Sequence, residues 1–488
     1  MESLIRKLQP ISIWNHFSDL NAVPRPSKKE ERIIDFMVNF GKKLMLETIV
    51  DEVGNVIIKK PATKGFENKK TVVMQSHLDM VHQKNSETVF DFETQGINMF
   101  IDGDWVTADG TTLGADNGLG VAAIMAVLSS VTIEHPTIEA LFTIDEETGM
   151  TGAMGLKGGL LSGEILLNLD TEEDDEIDMG CAGGIDVTAN RNYQEETTPT
   201  DKLAFKIAIR GLQGGHSGMD IHKEFGNANK IMNRLLYHGT ESVGLRISTI
   251  DGGSLRNAIP RESFSTIVIN ATEKDRFLLK MKDLIGLIKE EFNTKEPNLT
   301  IDITSSEIPL KIMDLKTQKV FLRCIYTTLN GVYRMSPHIA NLVETSNNIA
   351  RIVLGDGKIH VACLTRSSSE SSKNDLTNAL TSCFELGGFK VELSGAYPGW
   401  QPNVDSEILK VLTNLYENLF GKKARVEACH AGLECGILGQ NYPLMDMISF
   451  GPTIKGAHSP DERVSITSVQ KFWKFLLQIL KNIPERNS

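Results

Sequence analysis

Histidine and carboxylate side chains recur at five places along the chain where apolar runs end. In Gln75-Ser-His77-Leu-Asp79, positions 77 and 79 of an extended backbone face the same side, so an imidazole and a carboxylate reach one point. The stretch from Asp109 to Gly120 is glycine-rich and opens a helix, yet its spacing matches neither phosphate-loop pattern and no lysine stands ready for phosphates. Asp116 fits better as a cation ligand, because a helix amino terminus stabilises its anion. In Asp145-Glu146-Glu147 adjacent acids on an extended backbone point opposite ways, so one can hold a metal while its neighbour faces the water that reacts. Asp170 closes the apolar run Leu167-Asn-Leu, and His458 sits in Gly456-Ala-His-Ser-Pro-Asp-Glu462. Each segment alone reads equally well as a solvated loop or a structural pair. Together, two histidines and three carboxylates with a shared aspartate suit a pair of divalent ions, zinc first and manganese or cobalt next.

The elements that must position these groups follow from periodicity. Ser27-Lys-Lys-Glu30 reads as a capping box before Ile33, Phe36, Met37, Phe40 and Leu44, predicting an amphipathic helix that opens the fold. Strands over 71–74, 138–144 and 165–169 alternate with a helix over 120–129, which indicates a mostly parallel α/β sheet. The carboxyl ends of parallel strands line one crevice, where the segments above would meet. A polar stretch over 188–200 then precedes strict alternation at Leu203, Phe205, Ile207 and Ile209. From there the pattern is strand 203–209, helix 226–238, strands 245–250 and 264–269, helix 273–292 and strand 299–305, a split β-α-β-β-α-β unit. A fainter echo over 316–394 suggests a doubled α/β layer. After Ala396-Tyr-Pro-Gly-Trp400 the α/β pattern resumes. The expected organisation is a catalytic domain of residues 1–187 and 398–488, interrupted by an inserted α/β lid over 188–397.

Composition narrows the functional classes. The chain has 488 residues, 41% hydrophobic and 23% charged, a globular profile of a length that usually divides into domains. No run reaches the ~18 to 20 apolar residues of a membrane span. The start, MESLIRKLQPISIWNHF, has no apolar h-region, so the expected location is the cytoplasm, with no membrane partner. A formal net charge of -12 without a basic stripe excludes nucleic acid as a partner. Six cysteines, none in a C-x-x-C pair, read as reduced thiols, with Cys181 and Cys435 in packing roles.

The ordered segments HLD, LGADNGLG, DEETG, NLDTEE and HSPDE resemble the co-catalytic zinc peptidases that include aminoacylases and carboxypeptidases, and more closely the aminoacyl-histidine (Xaa-His) dipeptidases. PRPSKKEE (24–31), GCAGG (180–184), GGHSG (214–218), RNAIPRE (256–262), HAGLECG (430–436) and GPTIKGAHSPDE (451–462) carry the closer match nearly end to end. The resemblance implies that His77, Asp116 and Asp170 bind one zinc and that Asp116, Glu147 and His458 bind the other, with a cis peptide between Asp116 and Asn117. Glu146 is then the general base and Asp79 orients His77. His216 supplements oxyanion stabilisation, and Asn257 and Arg366 match lid positions that hold the substrate's carboxyl end. Glu434 reads either as a contact to the substrate amine or as an acid held by its own hydrogen bonds, while His82, His222 and His430 read as surface or packing residues. The lid histidine comes from the partner subunit in dimeric relatives; the long insert could also supply it within one chain, and a homodimer through the lid is the preferred expectation. The implied activity is hydrolysis of unblocked dipeptides, Xaa-His first. Its rivals are an N-acyl-amino-acid deacylase or tripeptidase with the same metal site, and a catalytically silent metal-binding scaffold.

Overall fold

The aliphatic runs Val72–His77, Ile138–Thr143 and Ile165–Asn168 are buried along their whole length, as strands covered on both faces must be. With Asp446–Ser449 they form four neighbouring parallel strands in an eight-stranded sheet. Antiparallel pairings extend it, through Val56–Lys60 to Glu47–Val50 at one edge and through Glu176–Cys181 at the other, where Arg425–Cys429 is the last strand. The helix Ala115–Ser129 packs on the strand Val72–His77 and on the helix Ile11–Asn21; almost every residue from Ala115 to Leu128 is buried, so it is apolar all round rather than amphipathic. In this computed structural model, which describes residues 2–337 and 339–486, the chain separates into two compact units. The first comprises residues 1–180, 400–428 and 433–488, and the second 181–399 and 429–432.

The helix expected after Ser27 is present as Glu31–Lys43, but it does not open the fold, because Ile11–Asn21 precedes it, and no capping box forms. The Ser27 hydroxyl donates to Asp79 Oδ2 at 2.8 Å instead, and Glu30 accepts from the Lys28 N–H at 2.9 Å. A tertiary partner has taken the side chain that the local motif would have used.

The second unit realises the doubling. Strands Lys202–Arg210, Arg246–Gly253, Ser263–Asn270 and Thr300–Ser306 lie in the spatial order fourth, first, third, second. Strands Gly183–Asn192, Val343–Gly355, Lys358–Ser367 and Lys390–Tyr397 repeat that order. The halves join where Arg246–Gly253 pairs antiparallel with Val343–Gly355, giving one continuous sheet. The first half is thus inserted between the first strand of the second half, Gly183–Asn192, and its remainder. One core, with Ile207, Leu235, Phe277, Phe321, Val361 and Phe384, serves both halves.

Candidate metal centre and its supports

In the first unit all seven residues predicted as metal ligands or catalytic groups converge at the carboxyl ends of the parallel strands. His77 ends Val72–His77 and is buried; its Nε2 lies 3.1 Å from Asp116 Oδ1 and 3.5 Å from Asp170 Oδ1. His458 Nε2 lies 3.1 Å from Asp116 Oδ2 and 3.0 Å from Glu147 Oε2. Asp116 therefore offers one oxygen to each histidine. Its peptide with Asn117 is cis, and both residues depart from helical φ/ψ at the head of Ala115–Ser129. Asn117 Nδ2 donates to Asp170 Oδ1 and to the Leu169 carbonyl, fixing the third strand end. Ligand atoms of His77, Glu146 and Glu147 lie within 4.8 Å of one another, which brings Glu146 beside the histidine.

Burial would raise the Asp116 pKa, but hydrogen bonds from His458 and His77 outweigh it and hold the carboxyl below the usual range. Burial pushes Glu146 well above the ordinary carboxylate value, and Asp170, Glu434 and Glu147 push in the same direction against His77. Glu147 and Asp170 are raised, again first by burial.

Asp79, fully buried, holds this arrangement together. His77 Nδ1 lies 3.3 Å from Asp79 Oδ1, which also accepts the Glu146 N–H at 3.0 Å, while Asp79 Oδ2 accepts the Glu147 N–H at 3.3 Å. One carboxylate thus sets both an imidazole and the backbone of the acidic pair. Beneath it lies Arg25, 1% exposed, whose guanidinium donates to the carbonyls of Leu78, Asp79 and Gly114 at 3.1, 3.1 and 2.6 Å. Burial lowers its pKa to about 10, against the pull of Glu462, Asp79, Asp116 and Glu147. Glu462 accepts the N–H groups of Leu113, Gly114, Ala115 and Asp116 at 2.7, 2.9, 2.7 and 3.2 Å. The helix head that bears Asp116 is therefore already capped by an anion.

Neither Arg25 nor Glu462 was singled out from the sequence for a role. Both lie inside segments that carry the resemblance, PRPSKKEE and HSPDE, which was the available signal. Arg25→Met is expected to lower stability by about 3 kcal/mol, because three buried carbonyls lose their donor and the neighbouring acids lose a cation. Urea unfolding of the two proteins at equal slope measures the difference; an unchanged midpoint would show that water replaces the guanidinium.

The remaining predicted residues lie in the second unit. His216 Nε2 is 3.5 Å from Arg366 Nη2, and Arg366 Nη1 donates to the Tyr397 hydroxyl at 2.7 Å. Arg366 is 5% exposed and its Nε is buried without a partner. Asn257 is exposed; its carbonyl accepts the Ser217 N–H at 2.8 Å, which ties its loop to the His216 turn. His430 is buried against Ser346 at 2.8 Å. Burial and then Arg366 lower His216 to about 4, and burial, Arg366 and His216 lower His430 to about 3, so both imidazoles are neutral at neutral pH. Glu434, in the first unit, is fully buried, accepts from Gln75 at 2.6 Å and Thr143 at 2.7 Å, and is raised to about 7 by burial.

The donor set suits divalent cations. Asp116, Glu147 and Asp170 converge with two imidazole nitrogens, Glu147 Oε1 is buried without a partner, and among the described residues no lysine or arginine forms an ion pair with these carboxylates. Buried charge of one sign requires a compensating cation.

An acid, Glu146, beside such a cluster, on an α/β sheet whose chain is interrupted by a second unit, is an arrangement that fits a metal-dependent hydrolase. The chain belongs to peptidase family M20/M25/M40, whose model matches residues 73–482, and as a member of this metallopeptidase family it binds divalent metal. It is 44% identical over 484 residues to a cytosol non-specific dipeptidase of Escherichia coli (strain K12), covering 99% of this chain and 100% of that one. The crystal structure of an aminoacylhistidine dipeptidase from Vibrio alginolyticus superposes with a TM-score of 0.93 at 44% identity over 99% of both chains. An aminopeptidase PepT from Bacillus cereus shares the fold, with a TM-score of 0.57 at 16% identity over 98% of this chain and 99% of that one. Among the described residues no helix is long and apolar enough to cross a membrane.

Proposed function

We propose that the chain is a cytoplasmic dipeptidase that hydrolyses unblocked dipeptides, with Xaa-His as the leading class, through two divalent ions, zinc first and manganese or cobalt as substitutes. The observation that carries the reading is Asp116, which turns one carboxylate oxygen toward His77 and the other toward His458. In this reading His77 and Asp170 complete one ligand set, and Glu147 and His458 the other. When bound, the ions polarise the scissile carbonyl and ease deprotonation of water. Glu146 takes the proton from the attacking water and passes it to the departing amine, and its position among other buried acids supports that role by keeping its proton affinity high. Asp79 holds His77 in one tautomer and fixes the backbone from which Glu146 projects.

In the second unit, His216 and Arg366 are assigned to the substrate's anionic groups. A planar guanidinium held by Tyr397 suits a terminal carboxylate, and Asn257 is assigned to the same carboxyl end. Assembly as a homodimer through the second unit belongs to the same reading.

Hydrolysis of β-alanyl-histidine, alanyl-histidine and acetyl-histidine tests it, each before chelation, after it, and after zinc or manganese is restored. Metal-dependent cleavage of the two free dipeptides with the acetylated compound left intact is the expected result. Cleavage of acetyl-histidine alone would make the chain a deacylase, and no turnover with any metal would favour a silent scaffold.

A further inference from the structure

Outside the catalytic machinery, two thiols of the second unit face each other across the ends of two helices. Cys324 lies in the last turn of Leu315–Thr327 and Cys383 in the last turn of Glu370–Leu386. Each sulfur is 3.7 Å from the other residue's carbonyl oxygen. Cys383 Sγ also lies 3.1 Å from Thr327 Oγ1 and 3.8 Å from Thr328 Oγ1. Both residues line a surface cavity of about 490 Å³ with Val320, Arg323, Ala379 and Leu386 among its walls. Cys383 is half-buried, whereas Cys324 is 7% exposed and the chain at Gly387 passes so close that any side chain there would strike its sulfur.

The surroundings divide the roles. The Cys324 thiol is the largest influence lowering Cys383, to about 5, with the Thr327 and Thr328 hydroxyls and the Lys230 charge adding to it against burial. Lys230 is pinned by the carbonyls of Ile325, Tyr326 and Thr328 at 2.9, 3.0 and 3.1 Å, so its charge stays beside the pair. Cys324 is raised, first by the neighbouring Cys383. A more exposed, more acidic thiol beside a more buried one is the arrangement of an attacking and a resolving cysteine.

We propose that Cys383 and Cys324 form a modification site that takes a low-molecular-weight disulfide and closes to an intramolecular disulfide. The Cys383 thiolate attacks one sulfur of the incoming disulfide; a mixed disulfide forms and one small thiolate departs. Cys324 then gives its proton to solvent and its sulfur attacks Cys383 Sγ, expelling the second small thiolate and leaving a Cys324–Cys383 bond. Two protein thiols lose two electrons and two protons, and the small disulfide is reduced to two thiols.

The probe is 5,5′-dithiobis(2-nitrobenzoate), added in slight excess to the full-length, metal-loaded protein under native conditions. The expected result is fast release of about two thionitrobenzoate ions per chain with no adduct retained, and a peptide cross-link joining residues 324 and 383. Half-buried Cys429 supplies an internal comparison, with Cys383 reacting at least ~10-fold faster. Cys324→Ser is expected to release about one ion in the fast phase and to keep the adduct on Cys383. Cys383→Ser loses the fast phase. A Cys383 no faster than Cys429, or an adduct that stays on Cys383 of the unsubstituted chain, would overturn the proposal, and neither result requires a variant to fold.

Discussion

Glu146→Gln is expected to reduce kcat by ~10³-fold while KM, metal content and thermal midpoint stay near those of the parent. The amide keeps the shape of the acid, and the backbone N–H of residue 146 still reaches Asp79, so the acidic segment holds its place. What is lost is the capacity to accept a proton. In the parent, burial first and then Asp170, Glu434 and Glu147 raise that proton affinity, the direction that the assigned role requires. Glu146→Asp separates position from chemistry: the acid is retained but withdrawn by one methylene, and an intermediate loss is expected. Full activity in a metal-loaded Glu146→Gln protein would remove the base from this residue. A loss of metal together with activity would mean that Glu146 is a ligand, and element analysis of both proteins decides between these readings.

The residues that make contacts through the ends of buried strands were legible in the sequence because strand period and strand end are local properties. An apolar run that stops at His77, Thr143 or Asn168 puts the next acids at a sheet edge whatever lies around them. The order of the second unit was also within reach, since each half carries its own alternation of strands and helices; that they share one continuous sheet was not, because the pairing of Arg246–Gly253 with Val343–Gly355 joins segments about a hundred residues apart.

Ser27 shows the limit most plainly. Its S-x-x-E pattern is a helix-start signal, and the hydroxyl is instead committed to a carboxylate 52 positions away. Arg25 is illegible for the same reason, since nothing local distinguishes an arginine that braces three carbonyls from one that snorkels to water. The Cys324 and Cys383 pair, 59 positions apart, is likewise a product of helix packing rather than of any motif.

Removal of the metal is expected to abolish hydrolysis and to lower the thermal midpoint by roughly 10 °C where the ion had been present at ~1,000 times its dissociation constant. The carboxylates gathered at Asp116, Glu147 and Asp170 have no lysine or arginine partner among the described residues, so in the metal-free chain the two imidazoles must carry the compensating charge. Hydrogen bonds to Asp116 and then Glu147 raise His458 to about 11. For His77 burial pulls downward, but Asp170 and Asp116 outweigh it and leave the imidazole well above its ordinary value. A histidine whose folded pKa is raised stabilises the fold fully below its unfolded pKa, about 6.5, and that contribution is lost as pH rises toward the folded value. The chelated protein should therefore lose thermal stability progressively above about pH 6.5, while the metal-loaded protein, whose imidazoles are held neutral by coordination, should change much less. Metal binding at pH 7 must also displace these protons, so calorimetric titration with zinc in buffers of different ionisation enthalpy should report proton release that disappears at high pH. Equal midpoints with and without metal across that range, or binding without proton release, would show that this cluster is not where the metal enters.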